Sequence, residues 1–286
     1  MGTLWQKLRC WIRLTVCRLR RVLMREDTDK ALIDLAIDAL DDEDYRTFLK
    51  TISLVRNLSR HGPWRVASVA TGYHYAGCDG KALDLFRLAL LKGHADPIVL
   101  MDYGHYLAEV GEYEDSITYL ERALAIGPEY PTALTWLGDA YAATGQVAKA
   151  REAYEASLDL RSGADSGPVL VRLALMEADA ENWEAAAALW RQAVKHMPRH
   201  EQSWYNLGHS LTKAGRYMEA IPALKKSLRL GSRIPEWTLD AMACCYEGLG
   251  DTPRAMRCVR KALKYAPDDA DLLELRSRLG SHDRQA

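Results

Sequence analysis

The strongest constraint on this 286-residue chain is a period. Gly77, Gly111 and Gly145 recur every 34 residues, Gly104 and Gly138 do the same, and Ala70 precedes them in phase. Two residues enter near 162–167, after which Ala174 and Gly208 restore the spacing. One more enters near Pro235, and Ala243 and Gly250 close the series. Self-similarity at this period means one supersecondary unit copied along the chain, each copy burying its apolar face on the next. Six units follow: 63–96, 97–130, 131–164, 167–200, 201–235 and 236–269.

Each unit reads as two helices. The first carries a large apolar residue, an apolar-small pair, then an aromatic or Leu, as in Leu134, Leu137-Gly138 and Tyr141, or Trp204, Leu207-Gly208 and Leu211. The small residue lets the second helix come close, and a Gly at the joint permits a turn with φ > 0. The second helix has Ala, a bulky residue four on, then Ala or Ser, as in Ala82, Phe86 and Ala89 or Ala150, Tyr154 and Ser157. This alternation of small and large is what interdigitating antiparallel helices need. Pro128, Pro198 and Pro267 are expected to end second helices. Phe is scarce, two residues against 14 Tyr and 8 Trp, so the large aromatics mostly carry a polar handle suited to half-buried sites.

These residues closely resemble the tetratricopeptide repeat (TPR) signature, W-x2-L-G-x2-Y followed by A-x3-F and P. The resemblance runs from Pro63 to about Asp269. It implies an all-α fold: an α-solenoid of stacked antiparallel hairpins in a right-handed superhelix, with a concave groove lined by first helices. Mapped onto this chain, the groove would present Trp64, Tyr75, Met101, His105, Glu109, Trp136, Asp139, Arg172, Tyr205, Asn206, His209, Lys213, Trp237 and Asp240. The competing reading is that several of these aromatics pack under the neighbouring hairpin. One subclass of the family grips chaperone C-terminal carboxylates with Lys and Asn. The matching positions here hold Ala67, Thr71, Asp102, Thr132 and Trp136, so that clamp is not expected.

The fourth unit departs from the pattern. Glu177 stands where others have Tyr or Leu, Glu181 where others have Gly, and a loop-like LRSGADSGP precedes it. A joint there would divide the solenoid into blocks 63–162 and 167–269. Pro222, early in a second helix, should bend it slightly.

Outside the repeats, residues 26–62 read as a degenerate helix pair, in phase as a further N-terminal unit, with the second helix expected over Tyr45 to Leu58. Residues 270–286 read as a capping helix and tail, with Leu272, Leu273, Leu275 and Leu279 on its inner face. Residues 1–25 hold seven Lys or Arg and no acid. At 100° per residue Trp5, Leu8, Trp11, Ile12 and Leu19 share one arc, bordered by Arg9, Arg13 and Arg20, which makes a basic amphipathic helix. Such a helix can lie in an anionic membrane surface, dock on a partner or on its own chain, or cap the core.

No nucleophile elbow, phosphate-binding loop or zinc motif is present, so the chain reads as non-enzymatic, with no metal and no cofactor. His196 and His200 are separated by Pro198 and read as a surface loop. The six Cys lack metal spacing and read as buried fillers in a reducing, cytoplasmic setting. The leading expectation is an adaptor that binds a protein or peptide partner in its groove. The alternative is an assembly factor held on the cytoplasmic membrane face by residues 1–25. Nucleic acid is disfavoured, because the chain outside those residues carries a net charge of about −8.

Overall fold

The computed structural model describes residues 28–40, 42–55, 57–161 and 166–282. The expected helix over 1–25 therefore lies outside the described residues, as does the 162–165 part of the loop. Among the described residues every regular element is helical, and successive helices pair into antiparallel hairpins stacked as an α-solenoid.

The chain divides into two compact units after Ala150. The first holds α1 (28–40), α2 (Tyr45–Ile52), a short 3-10 turn (Leu58–Arg60), α3 (Pro63–Tyr75), α4 (Asp79–Lys92), α5 (Pro97–Glu109), α6 (Tyr113–Ile126), α7 (Pro131–Ala143) and the start of α8 (Val147–Asp159). The second holds the rest of α8, α9 (Gly167–Asp179), α10 (Trp183–His196), α11 (Glu201–Lys213), α12 (Tyr217–Arg229), α13 (Pro235–Gly248), α14 (Thr252–Ala262) and α15 (Ala270–His282). The division falls inside α8, a helix earlier than the expected joint at 162–166. From Arg151 onward α8 is tied to the hairpin that follows it, through an ion pair between Arg151 and Glu177.

The ends of the helices have local causes. Pro63, Pro97, Pro131 and Pro235 stand at the first position of their helices, where a missing N–H costs nothing and φ is already helical. The last of these opens α13 one residue before the expected sixth unit, 236–269. The Asp96 carboxylate accepts from the Ile98 and Val99 N–H groups at 3.0 and 3.5 Å and caps α5. Joints between paired helices turn at Gly77, Gly111, Gly145, Gly215 and Gly250, all with φ between 73° and 89°. In α9–α10 the same slot holds Glu181 at φ 57°, a strained position for a residue with a Cβ. Glu177 is buried and accepts from Asn182 Nδ2 at 2.9 Å as well as from Arg151. Burial alone would raise its pKa, but the bonds from Asn182 and Arg151 outweigh that and hold it below the usual value.

Small residues carry the hairpin packing. A Cβ on Gly104 would sit 2.8 Å from Leu120 Cγ, and one on Gly208 would sit 2.5 Å from Leu224 Cγ. The bulky partners in the second helices, Phe86, Leu120, Tyr154, Trp190 and Leu224, are all essentially buried. In the first unit Phe48 and Phe86 are wholly buried, each meeting a Tyr ring, Tyr73 at 5.5 Å and Tyr106 at 5.0 Å.

The N-terminal pair is shorter than expected. α2 ends at Ile52 rather than near Leu58. Ser53 bonds back to the Lys50 carbonyl and the chain turns through Leu54 and Val55 into the 3-10 segment. The Lys92 ammonium then fastens that segment by bonding the carbonyls of Ser59 and His61. α15 follows the last hairpin, with Leu272, Leu275 and Leu279 buried and Arg278 paired with Glu247 at 2.9 Å. No helix of the described residues is long and apolar enough to cross a membrane.

Candidate functional site

α3 lies against α5, α5 against α7, and α11 against α13, so residues one repeat apart on these helices face the same side. The second unit shows what this assembles. Tyr205, His209 and Lys213 project from α11 at four-residue spacing, and Trp237, Asp240, Cys244 and Glu247 project from α13 at three- or four-residue spacing. Together they line a pocket of about 590 Å³, closed at one end by Tyr217 against Gly248. Trp237 is 57% exposed at its mouth. The His209 imidazole lies between two rings: Tyr205 stacks on it at 5.9 Å and Trp183 meets it edge-on at 5.9 Å. Burial, with Lys213 adding to it, lowers the His209 pKa, so the ring is neutral at physiological pH. Burial raises the Asp240 pKa, Asp269 and Asp271 add to that, and Lys213 opposes it. Burial also pushes the Cys244 thiol up to about 11, which leaves it protonated and unreactive.

The first unit has its own set. His105 stacks on Trp136 with ring centroids 4.1 Å apart and lies 3.6 Å from the Glu109 carboxylate. Burial lowers the His105 pKa, with Glu109 and Asp139 pulling the other way. Tyr75 ends α3 at 42% exposure, and its ring is 6.3 Å from that of Tyr45. Trp64 is partly exposed beneath the Arg65 guanidinium, 4.2 Å from the ring centroid.

Of the residues placed in the groove from sequence, Tyr205, His209, Lys213, Trp237 and Asp240 converge on one pocket, and His105, Glu109, Trp136 and Asp139 lie near one another in the other unit. Met101 does not belong with them. It is buried, like Ala67 and Thr135 at the same repeat position, because in α3, α5 and α7 that position turns into the neighbouring helix. Asn206 accepts from Gln202 Nε2 at 3.3 Å, and Arg172 donates to the Pro168 carbonyl at 3.4 Å. Cys244, Thr212, Tyr217 and Trp183 were missed. Cys244 was findable, since with the single insertion near Pro235 it occupies the repeat position of His209. Trp183 and Tyr217 begin second helices, and no periodic signal marks them as reaching the first-helix face. Residues 1–25, with Trp5, Trp11 and their arginines, lie outside the described residues.

Comparison with known proteins agrees with the repeat fold. The family profile described as Tetratricopeptide repeat matches residues 102–165, and a second of the same description matches 199–268. The chain is 25% identical over 166 residues to the tetratricopeptide repeat and J domain-containing co-chaperone DNJ1 of Fusarium oxysporum f. sp. lycopersici. That alignment takes in 56% of this chain and 31% of the relative, so the chain spans about a third of that protein's length. Among solved structures, YrrB, a TPR protein with an unusual peptide-binding site, superposes with a TM-score of 0.58 at 18% identity, over 70% of this chain and 98% of that one. MamA AMB-1 gives 0.54 at 26% identity, over 63% and 96%. The APC/C hetero-tetramer Cut9–Hcn1 gives 0.56 at 18%, over 90% and 47%.

Proposed function

This chain is a tetratricopeptide repeat protein, and from that premise we propose that it is a non-enzymatic adaptor that holds a peptide or helix of a partner protein against the first-helix face of α11 and α13. The observation that carries this reading is the open pocket with Trp237 at its mouth and Tyr205 and His209 on its wall. Aromatic rings give large contact area at small entropic cost, and a few such anchors dominate peptide affinity. With the imidazole and thiol both neutral, the wall suits apolar and hydrogen-bonding groups of a peptide rather than catalysis. In YrrB a TPR scaffold carries an unusual peptide-binding site, which supports the same use of the scaffold here. The test is a displayed random-peptide library selected on the full chain. Selected peptides should lose at least about 30-fold in affinity when Tyr205→Ala and Trp237→Ala are combined, equivalent to about 2 kcal/mol of anchor energy. Undiminished binding by that variant would reject the site.

A second reading concerns where the adaptor sits. The seven cations and two Trp of residues 1–25 support a tether on an anionic membrane from the cytoplasmic side. Flotation with phosphatidylserine vesicles should recover the full chain and lose it when those residues are deleted; flotation that survives the deletion removes the tether.

A further inference from the structure

A second pocket, in the first unit, has a different chemistry. It encloses about 500 Å³ between the N-terminal helix pair and the first two repeats. Ile37 and Leu40 form an apolar wall, the Tyr45 and Tyr75 rings stand near each other, and Glu43 and Asp102 supply carboxylates. The two aliphatic hydroxyls on its surface are also set to accept. The Ser68 hydroxyl donates to the Trp64 carbonyl at 3.1 Å and the Thr71 hydroxyl to the Ala67 carbonyl at 3.2 Å, so each turns only lone pairs outward. Among the described residues no Lys, Arg or His lines the pocket. The nearby guanidinium of Arg65 is already paired with Asp34 at 3.0 Å.

Asp102 is the unusual member. It is partly buried and has no hydrogen-bond or ion-pair partner among the described residues. Burial of an unpaired carboxylate is costly, and native structures pair such groups or bind something to them. Here burial, with Asp96 adding to it, raises the Asp102 pKa to about 7. Burial also raises the Tyr75 pKa, with Glu109 and Tyr45 contributing, which reports the same negative surroundings. The pocket is therefore acidic, rich in acceptors and faced with aromatic rings, which attract cations to their faces.

We propose that the pocket between Tyr45, Tyr75 and Asp102 receives the cationic side chain, lysine or arginine, of a partner peptide. The charge of the pocket fixes the occupant. An acidic tail would meet two carboxylates and no base among the described residues, whereas an ammonium or guanidinium would meet those carboxylates, the Ser68 and Thr71 lone pairs and the tyrosine rings, and give Asp102 its missing partner. The inference deepens the reading of the chain as a peptide-binding adaptor and rests on it, adding that the partner segment carries a basic residue.

The test uses the full chain with ¹³C-labelled tyrosine, the ring signals being assigned with Tyr45→Phe and Tyr75→Phe. The probes are N-acetyl-arginine methylamide and N-acetyl-lysine methylamide, with the citrulline and norleucine counterparts as uncharged controls. The expected result is saturable shifts of the Tyr45 and Tyr75 signals with a charged probe, and binding at least tenfold weaker for its uncharged counterpart. Asp102→Asn should weaken the charged probe at least tenfold while leaving the Tyr205 signal in place. Glu43→Gln, which leaves the buried acid untouched, should weaken it more modestly and serves if Asp102→Asn disturbs folding. Equal binding of charged and uncharged probes, or unchanged binding in both variants, overturns the proposal. Probe-free shifts that grow with protein concentration would assign the pocket to a second copy. A response seen only when the seven basic residues of 1–25 are changed to Gln would assign it to the chain's own segment. Either outcome also overturns the proposal. Selected peptides that bind through Tyr205 and Trp237 while Tyr45 and Tyr75 stay silent would remove this inference and leave the adaptor reading standing.

Discussion

In the first unit, Glu43 and Asp102 face a pocket with no base among the described residues of its lining. In the second, Lys213 stands near Asp240, and Arg278 grips Glu247 through two bonds of 3.0 and 2.9 Å. Both pockets draw on first helices and aromatic rings, yet one balances its charge from within and the other leaves an acid waiting. Burial raises the carboxyl pKa in both, but only in the second does a nearby cation oppose it. The lesson is that the shared scaffold sets where side chains point, while single substitutions on its open face decide what each pocket accepts.

The comparison can be broken at its foundation first. Phe86 and Trp190 fill the same repeat position in the two units, and both are essentially buried. Truncation of either to Ala should cost about 3–5 kcal/mol, read as a fall in the urea midpoint at constant m. Trp190 has an additional weakness, because its Nε1 is buried without a partner. Trp190→Phe should therefore lose much less than Trp190→Ala. A loss as large as the Ala variant's would mean that the indole's shape, rather than its apolar volume, holds the second unit together.

A smaller effect sharpens the same comparison at the hairpin contacts. Gly208→Ala and Gly104→Ala should each destabilise by about 1–3 kcal/mol through overpacking. The Gly208 variant should lose more, since its Cβ would also come within 3.2 Å of the Leu224 backbone nitrogen, against 3.4 Å for Leu120. Melting curves of the two variants side by side would check the order, and a reversed order would show that Leu224 moves aside more readily than Leu120.

The smallest effect separates the pockets by pH. Between about pH 4, where an unfolded Asp ionises, and about pH 7, folded Asp102 keeps a proton that the unfolded chain has released. Stability must then fall as pH rises through that window. Asp102→Asn removes this contribution, so the variant should melt a few degrees above the parent at pH 8 and close to it at pH 4. Equal melting temperatures at pH 8 would mean that Asp102 ionises freely in the folded state.

The hairpins were legible in the sequence because their causes are local or periodic. Gly104 and Gly208 are small for a reason that recurs at the same place in other units, and Gly77 or Gly215 marks a joint by backbone conformation alone. Even the exceptions were visible as exceptions: Glu177 and Glu181 broke the pattern, and both sit where the fold treats them unusually, one buried in an ion pair and one at positive φ. What the sequence hid depends on distances across helices. Nothing in the period says that Met101 turns inward while Tyr205, at the equivalent place, turns toward a pocket. Nor does it reveal that Asp102 has no partner, since that requires knowing what stands opposite it on α2 and α3. The early end of α2 was hidden for a related reason, because the segment after Ile52 is fastened by Lys92, forty residues further on.

The scarcity of Phe has a practical side. The chain has only two, Phe48 and Phe86, and both are wholly buried in the unit that ends at Ala150. Fluorinated phenylalanine incorporated uniformly would give a spectrum of two lines, each reporting on the interior of that unit and neither on the other. One lies on α2, in the core it shares with α1 and α3, and the other in the first full hairpin. The protein thus carries a built-in pair of spectroscopic reporters for watching one half of the molecule respond while the other half stays silent.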